Sequence, residues 1–186
     1  GVVSIEQHRS FVIADIPGLI PGASEGAGLG TRFLKHLVRT HLLLHIVDMA
    51  PFDDSDPADN VMAISNELQQ FSPGLAQRDR WLVLNKLDMV PEEEREARCQ
   101  AVIDKLQWEG PVYRIAAIIK EGTFPLSCDI MEYIEARKVR AEEDEEFAER
   151  MLAEREQVEI EAREHIEALY EKHRLEREAR KAAKRD

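Results

Sequence analysis

Four short aliphatic runs separated by helix-period sequence constrain this chain more than any other feature. They are Phe11-Val12-Ile13-Ala14-Asp15, Leu42 to Asp48, Trp81-Leu82-Val83-Leu84-Asn85 and Val112-Tyr113-Arg114-Ile115-Ala116. Continuous apolar runs of this length suit strands covered on both faces, the mark of a parallel sheet. Between them, Asp56-Pro57 supplies an N-cap and a first-turn proline for a helix reaching about Phe71. Val90-Pro91 followed by Glu92, Glu93 and Glu94 places acids at the favourable end of a helix dipole, predicting a helix to about Leu106. Thr123 is placed to cap another, starting near Phe124 and carrying Ile130, Met131 and Ile134. The alternation predicts an α/β architecture of βα units.

From Ala136 onward Gly and Pro vanish, and Phe147, Met151, Val158, Ile166 and Leu169 drift around the helix without a sustained seam. The expectation is a domain over residues 1–135 and a charged helical extension over 136–186, read as one long solvated helix held partly by Glu–Arg/Lys pairs. The chain carries 25 Lys plus Arg against 37 Asp plus Glu, a net charge of −12. That argues against a general nucleic-acid coat, which needs a basic surface, and leaves room for a local basic patch. No uninterrupted apolar stretch spans a bilayer, no secretory leader is evident, and two unpaired cysteines give neither a disulfide framework nor a thiolate zinc site. A reducing cytoplasm is the expected compartment. The chain opens on Gly1 with strand-like sequence already under way, so a fragment is expected.

Asn85-Lys86-Leu87-Asp88 directly follows an aliphatic run. A carboxylate there can accept two hydrogen bonds from the N1–H and exocyclic amine of guanine. Adenine lacks that donor pair, so the wrong base leaves a buried group unpaired. An ordinary strand-to-helix turn accounts for the same tetrapeptide, because Asn and Asp are turn formers. Asp15-Ile16-Pro17-Gly18 also ends a run; an Asp there can hold magnesium through water, and a Gly amide can approach a terminal phosphate. Their joint placement at strand ends, where open α/β sheets bind ligands, lifts both readings above plain turns. The glycine-dense stretch from Leu19 to Gly30 has neither dinucleotide-fold spacing nor a Gly-Lys pair. It reads as a loop with a switch role or as a plain linker.

Asp15-Ile16-Pro17-Gly18-Leu19-Ile20, Glu25 to Gly30 and Arg32-Phe33-Leu34-Lys35-His36-Leu37, with Asn85-Lys86-Leu87-Asp88 in register, resemble the switch II region and guanine motif of the Obg family of bacterial GTPases. The resemblance covers about residues 1–135. It implies a P-loop NTPase G domain of the TRAFAC type, α/β with a mostly parallel sheet, amino-terminally truncated and followed by a long C-terminal helix. It implies that Asp15 and Gly18, with Ile16 and Pro17 between them, serve the magnesium ion and γ-phosphate. Asn85, Lys86, Leu87 and Asp88 would form the guanine motif, and Ala116, Ala117 and Ile118 the fifth motif. Ala117 would offer its N–H to the guanine carbonyl oxygen, while Ala116 lacks a hydroxyl that would brace the loop. Leu19 stands where a water-orienting Gln occurs in Ras-like proteins, which implies slow hydrolysis. The phosphate-binding loop is implied to precede residue 1, as is a strand lying between those that end near Asp15 and Asp48. The isolated chain is therefore expected neither to bind GTP tightly nor to hydrolyse it.

The resemblance implies GTP and GDP as ligands, Mg2+ as cofactor and the large ribosomal subunit, its rRNA and proteins, as partner. Lys172, Arg174, Arg177, Arg180, Lys181, Lys184 and Arg185 form a basic end that would suit RNA; cations matched to a helix dipole account for it equally. Two rivals stand beside the GTPase. One is a non-catalytic binding module acting through its helix, favoured by the missing Gly-Lys. The other is an ATP-preferring relative, which Asp88 disfavours. His41 and His45 share a spacing seen in metal pairs, but strand-end histidines explain them without a third ligand.

Overall fold

The computed structural model describes residues 1–15 and 39–182. Strands β1 (Val2–Glu6) and β2 (Arg9–Val12) form an antiparallel hairpin, and β3 (Leu43–Asp48), β4 (Arg80–Asn85) and β5 (Val112–Arg114) form a parallel sheet in that order. Helices α1 (Pro57–Phe71), α2 (Pro73–Ala76), α3 (Glu92–Leu106), α4 (Thr123–Glu143) and α5 (Glu145–Ala182) complete the described chain. Among the described residues no ladder joins β2 to β3.

Local chemistry explains most boundaries. Asp56 caps α1, its side chain accepting from the amides of Ala58 and Asp59, and Pro57 opens the first turn. Ser72 then ends α1 and caps α2 through its Oγ, 3.0 Å from the Leu75 amide. Glu92, Glu93 and Glu94 occupy the first turn of α3 and Lys105 its last, each sign matched to the dipole. At α4 the expected cap differs. The N-cap is Gly122 at φ 71°, and Thr123 donates its hydroxyl back to the Lys120 carbonyl at 3.0 Å. A Cβ on Gly122 would lie 2.5 Å from the Arg114 carbonyl oxygen, so this tight return after β5 requires glycine.

The parallel sheet is sandwiched. On one face Val47, Ala58, Val61, Leu82, Leu84, Cys99 and Val102 bring α1 and α3 onto β3 and β4. On the other, α4 contributes Leu126, Ile130 and Met131 against Trp81, Val83, Ile115 and Phe11, so it covers both sheets. Leu82, Val83 and Leu84 are fully buried, stabilising the fold by roughly 2 kcal/mol each. Two-sided cover therefore holds for β4. Among the described residues it is only partial for β3, where Leu44 packs against the α4 cluster but Ile46 on the same face is 55% exposed.

The single solvated helix expected over 136–186 is corrected. Helix α4 runs through 135/136 and stops at Asp144, whose extended backbone breaks it and whose carboxylate accepts from the Phe147 amide at 3.0 Å. The helix that follows is docked. Its Val158, Ala162 and Ile166, four residues apart, are buried against Leu43, Leu68, Phe71 and Leu75. Glu161, on the same turn, accepts from Ser72 Oγ at 2.6 Å and from the Gly74 amide at 2.8 Å, a second cap on α2. No described helix is long and apolar enough to cross a membrane.

Candidate functional site

Three loops meet at the carboxyl ends of the parallel strands. Asp48 and Asn85 close β3 and β4 in direct register, and the Met49 amide donates to the Asn85 carbonyl at 3.1 Å, carrying the pairing one step past the sheet. Asn85 turns its side chain toward the loop after β5, where Oδ1 accepts the Ala117 amide at 3.0 Å. The Leu87 amide donates to the Ile115 carbonyl at 3.3 Å, a second tie between these two loops.

Between Asn85 and Leu87 the chain turns through Lys86 at φ 66°. This left-handed conformation costs a residue with a Cβ about 1–2 kcal/mol, and Gly or Asn would adopt it more cheaply. Lys86 reaches back across the sheet end to Asp48, with Nζ 2.5 Å from Oδ2. The other oxygen of Asp48 accepts the Ala50 amide at 3.0 Å, fixing the carboxylate in a local turn. Leu87 is buried and anchors the short 3-10 turn Leu87–Met89, which leaves Asp88 exposed and without a polar partner among the described residues.

The loop after β5 replaces side-chain bracing with backbone. Ala116 is fully buried and exchanges two hydrogen bonds with Glu121, at 3.0 and 3.1 Å, and Lys120 and Gly122 both take positive φ to bring the chain around. The missing hydroxyl at Ala116 therefore leaves no loose loop. The expectation for Ala117 is modified: its amide hydrogen, expected to face guanine, is engaged by Asn85. Ile118 projects outward at 82% exposure.

The structure brings Asn85, Lys86, Leu87, Asp88, Ala116, Ala117 and Ile118 into one loop cluster. Asp15 lies exposed, three residues past β2, and no described contact joins it to that cluster. Ile16, Pro17, Gly18 and Leu19 lie outside the described residues, as does the whole glycine-dense stretch. The direction of β2 can be followed through α4. Arg9, at the start of β2, grips Glu135 with hydrogen bonds of 3.0 and 2.8 Å. Two residues earlier, Tyr133 bonds Asp79 and sits 3.3 Å from the His41 carbonyl, just before β4 and β3 begin. The amino ends of three strands thus gather at one stretch of α4, while its first residues sit beside the end of β5.

Asp48 is the residue that sequence reasoning missed, although a signal existed: it ends an aliphatic run as Asn85 does. His41 and His45 sit in different surroundings. His41 precedes β3 and is exposed, whereas His45 is buried within the strand, and among the described residues no group of three donors is placed to hold a metal. Burial, aided by Arg80, pushes the His45 imidazole down to about 4. A cleft of about 450 Å³ lies beside the site, between the loop from Met49 to Pro57 and the α3 residues Arg98 and Lys105, but neither Asn85 nor Asp88 lines it.

Residues 1–86 match the family model described as a 50S ribosome-binding GTPase. The match spans β1 to β4 and ends on Lys86, within the strand-end tetrapeptide. Together with the parallel sheet and its two helical layers, it supports a GTPase-family domain with an α/β P-loop fold and, in general terms, GTP binding.

Proposed function

We propose that this chain carries the guanine-recognition loops and the metal-side Asp of an Obg-type GTPase acting, with Mg2+, in assembly of the large ribosomal subunit in the cytoplasm. One observation carries the reading. Asp88 stands exposed on a buried anchor, Leu87, with no polar partner among the described residues, while its neighbours Asn85 and Lys86 are each held by an adjoining loop. A carboxylate left free on a fixed turn is suited to accept the paired donors of guanine.

The level of α4 at which Arg9 and Tyr133 meet supports the second half of the reading. With the amino ends of β2, β3 and β4 gathered there, Asp15 leaves β2 on the side from which the guanine loops leave theirs. Its exposed carboxylate is a hard oxygen donor with no partner among the described residues, which fits magnesium held through water. Ile16, Pro17 and Gly18 would place an amide near the terminal phosphate. Bound magnesium would neutralise phosphate charge, and this chain's part would be to orient the base. The rival reading, a module working through its helix, is less favoured because α5 spends Phe147, Val158, Ala162 and Ile166 on packing within the described chain.

The test is titration with GTP, GDP and ATP of the 186 residues and of a polypeptide extended upstream. Guanine-selective binding is expected in the extended polypeptide and little in the shorter one, which contains no Gly-Lys pair. Asp88→Asn should weaken guanine binding by about 100-fold, the range of a lost charged hydrogen-bond pair, and shift preference toward xanthine nucleotides. Equal affinity for ATP and GTP would remove the reading. Co-sedimentation with large subunits in GTP versus GDP tests the ribosomal part, and identical partitioning in both would sink it.

A further inference from the structure

We infer that Asp48 is a positioning residue for nucleotide binding: it holds the Lys86 side chain in place through the Asp48–Lys86 ion pair across the ends of β3 and β4. The inference rests on the proposed guanine site and assigns part of its rigidity to a residue on the neighbouring strand.

Three features of the geometry converge on it. The backbone at Lys86 is left-handed, where a residue without Cβ would fit better. Lysine in such a position carries a backbone cost that its side-chain contact offsets. That side chain is gripped by a carboxylate whose own rotamer is fixed, because Asp48 Oδ1 is occupied by the Ala50 amide while Oδ2 takes the ammonium. Finally, the register of β3 and β4 brings the two residues within reach of each other, since Asp48 and Asn85 are direct partners and Lys86 follows at once.

The ion pair is a poor candidate for a stabilising device. Lys86 and Asp48 side chains are 47% and 37% exposed, and pairs with this much water around them add little to stability. Held down, however, the four-carbon stem of Lys86 forms a fixed edge beside Asp88 instead of a free arm. The same carboxylate also links the loop after β3 to the guanine loop, so a shift at Ala50 is transmitted to Lys86.

Two measurements decide the matter. In the 186-residue chain without nucleotide, limited acetylation read by mass spectrometry should modify Lys86 about two- to fivefold faster in Asp48→Asn than in the parent. Asparagine can keep the oxygen that serves the Ala50 amide while an NH2 group replaces Oδ2, so both the charge and the acceptor that hold the ammonium are lost. Equal rates would overturn the inference. In the upstream-extended polypeptide, Asp48→Asn should weaken GDP binding by about tenfold, and Asp48→Glu should recover part of the loss. Adding Asp48→Asn to Lys86→Met should cost nothing further, because the partner is already gone. Independent, multiplying losses would refute positioning through Lys86. Lys86→Gly should hold or raise the melting temperature while binding falls, a separation that a purely structural role does not give. Asp88→Asn is measured in parallel. If it loses guanine preference while Asp48→Asn binds normally, only the present inference fails; if no variant or parent binds guanine nucleotide, both fall together.

Discussion

At the scale of single residues, burial and backbone strain decide roles that residue type leaves open. His45 is polar in sequence but sits in the strand face shared with Leu43 and Val47, and burial followed by the Arg80 charge lowers its pKa to about 4. The unfolded chain takes up a proton near the ordinary value of 6.5, whereas the folded chain refuses it until about 4. Protonation therefore favours unfolding across that interval, and stability should fall by up to about 1.4 kcal/mol per pH unit as pH drops from 6.5 toward 4. Urea unfolding at several pH values checks this, and His45→Leu should flatten the slope. An unchanged slope would place the acid sensitivity elsewhere. Asn85, Lys86 and Asp88 were legible as a motif because their order is distinctive. The part played by Asp48 was not, since a strand-end Asp is common and its partner lies on another strand.

Helix and strand boundaries were legible wherever the signal was local. The N-cap at Asp56, the acids opening α3 and the end of β4 at Asn85 all stand within a few residues of where sequence chemistry puts them. The hairpin was hidden. Its turn, Gln7-His8, contains no Gly or Asn, and His8 alone takes the positive φ of 68° that closes it. Helix α5 misled in another way. A run dominated by Glu, Arg and Lys reads as solvated on all sides, but three small or aliphatic residues at i, i+4 and i+8 suffice to dock one stripe. Ile166→Ala, at the far end of that stripe, should destabilise the chain by about 2 kcal/mol, measured by denaturant titration. A cost near zero would mean that α5 detaches freely. Glu161→Ala should cost about 1 kcal/mol more through the lost cap on α2.

For the molecule as a whole, α4 holds the pieces together. It packs on the hairpin and on the parallel sheet, and its Glu135 bonds Arg9 across the same junction. If this helix couples the two sheets, amides of β1 and β2 should exchange with the same opening free energy as those of β4. Phe11→Ala should then lower the stability of both sheets by about 3 kcal/mol. Hairpin amides exchanging far faster than those of β4 would show that the hairpin opens separately. This arrangement also bears on the proposed function, because it sets the direction of β2 and with it the side from which Asp15 departs.

Apolar periodicity, capping residues and the order of a tetrapeptide are local properties, so the alternation of strands and helices and the strand-end position of Asn85-Lys86-Leu87-Asp88 could be recovered from the amino acids in order. Contacts between distant segments obey no such short-range rule. The pairing of Asp48 with Lys86, the docking of α5 through Val158 and Glu161, and the bridging of two sheets by α4 each join residues separated by tens of positions, and only packing in three dimensions selects them among many chemically equivalent partners.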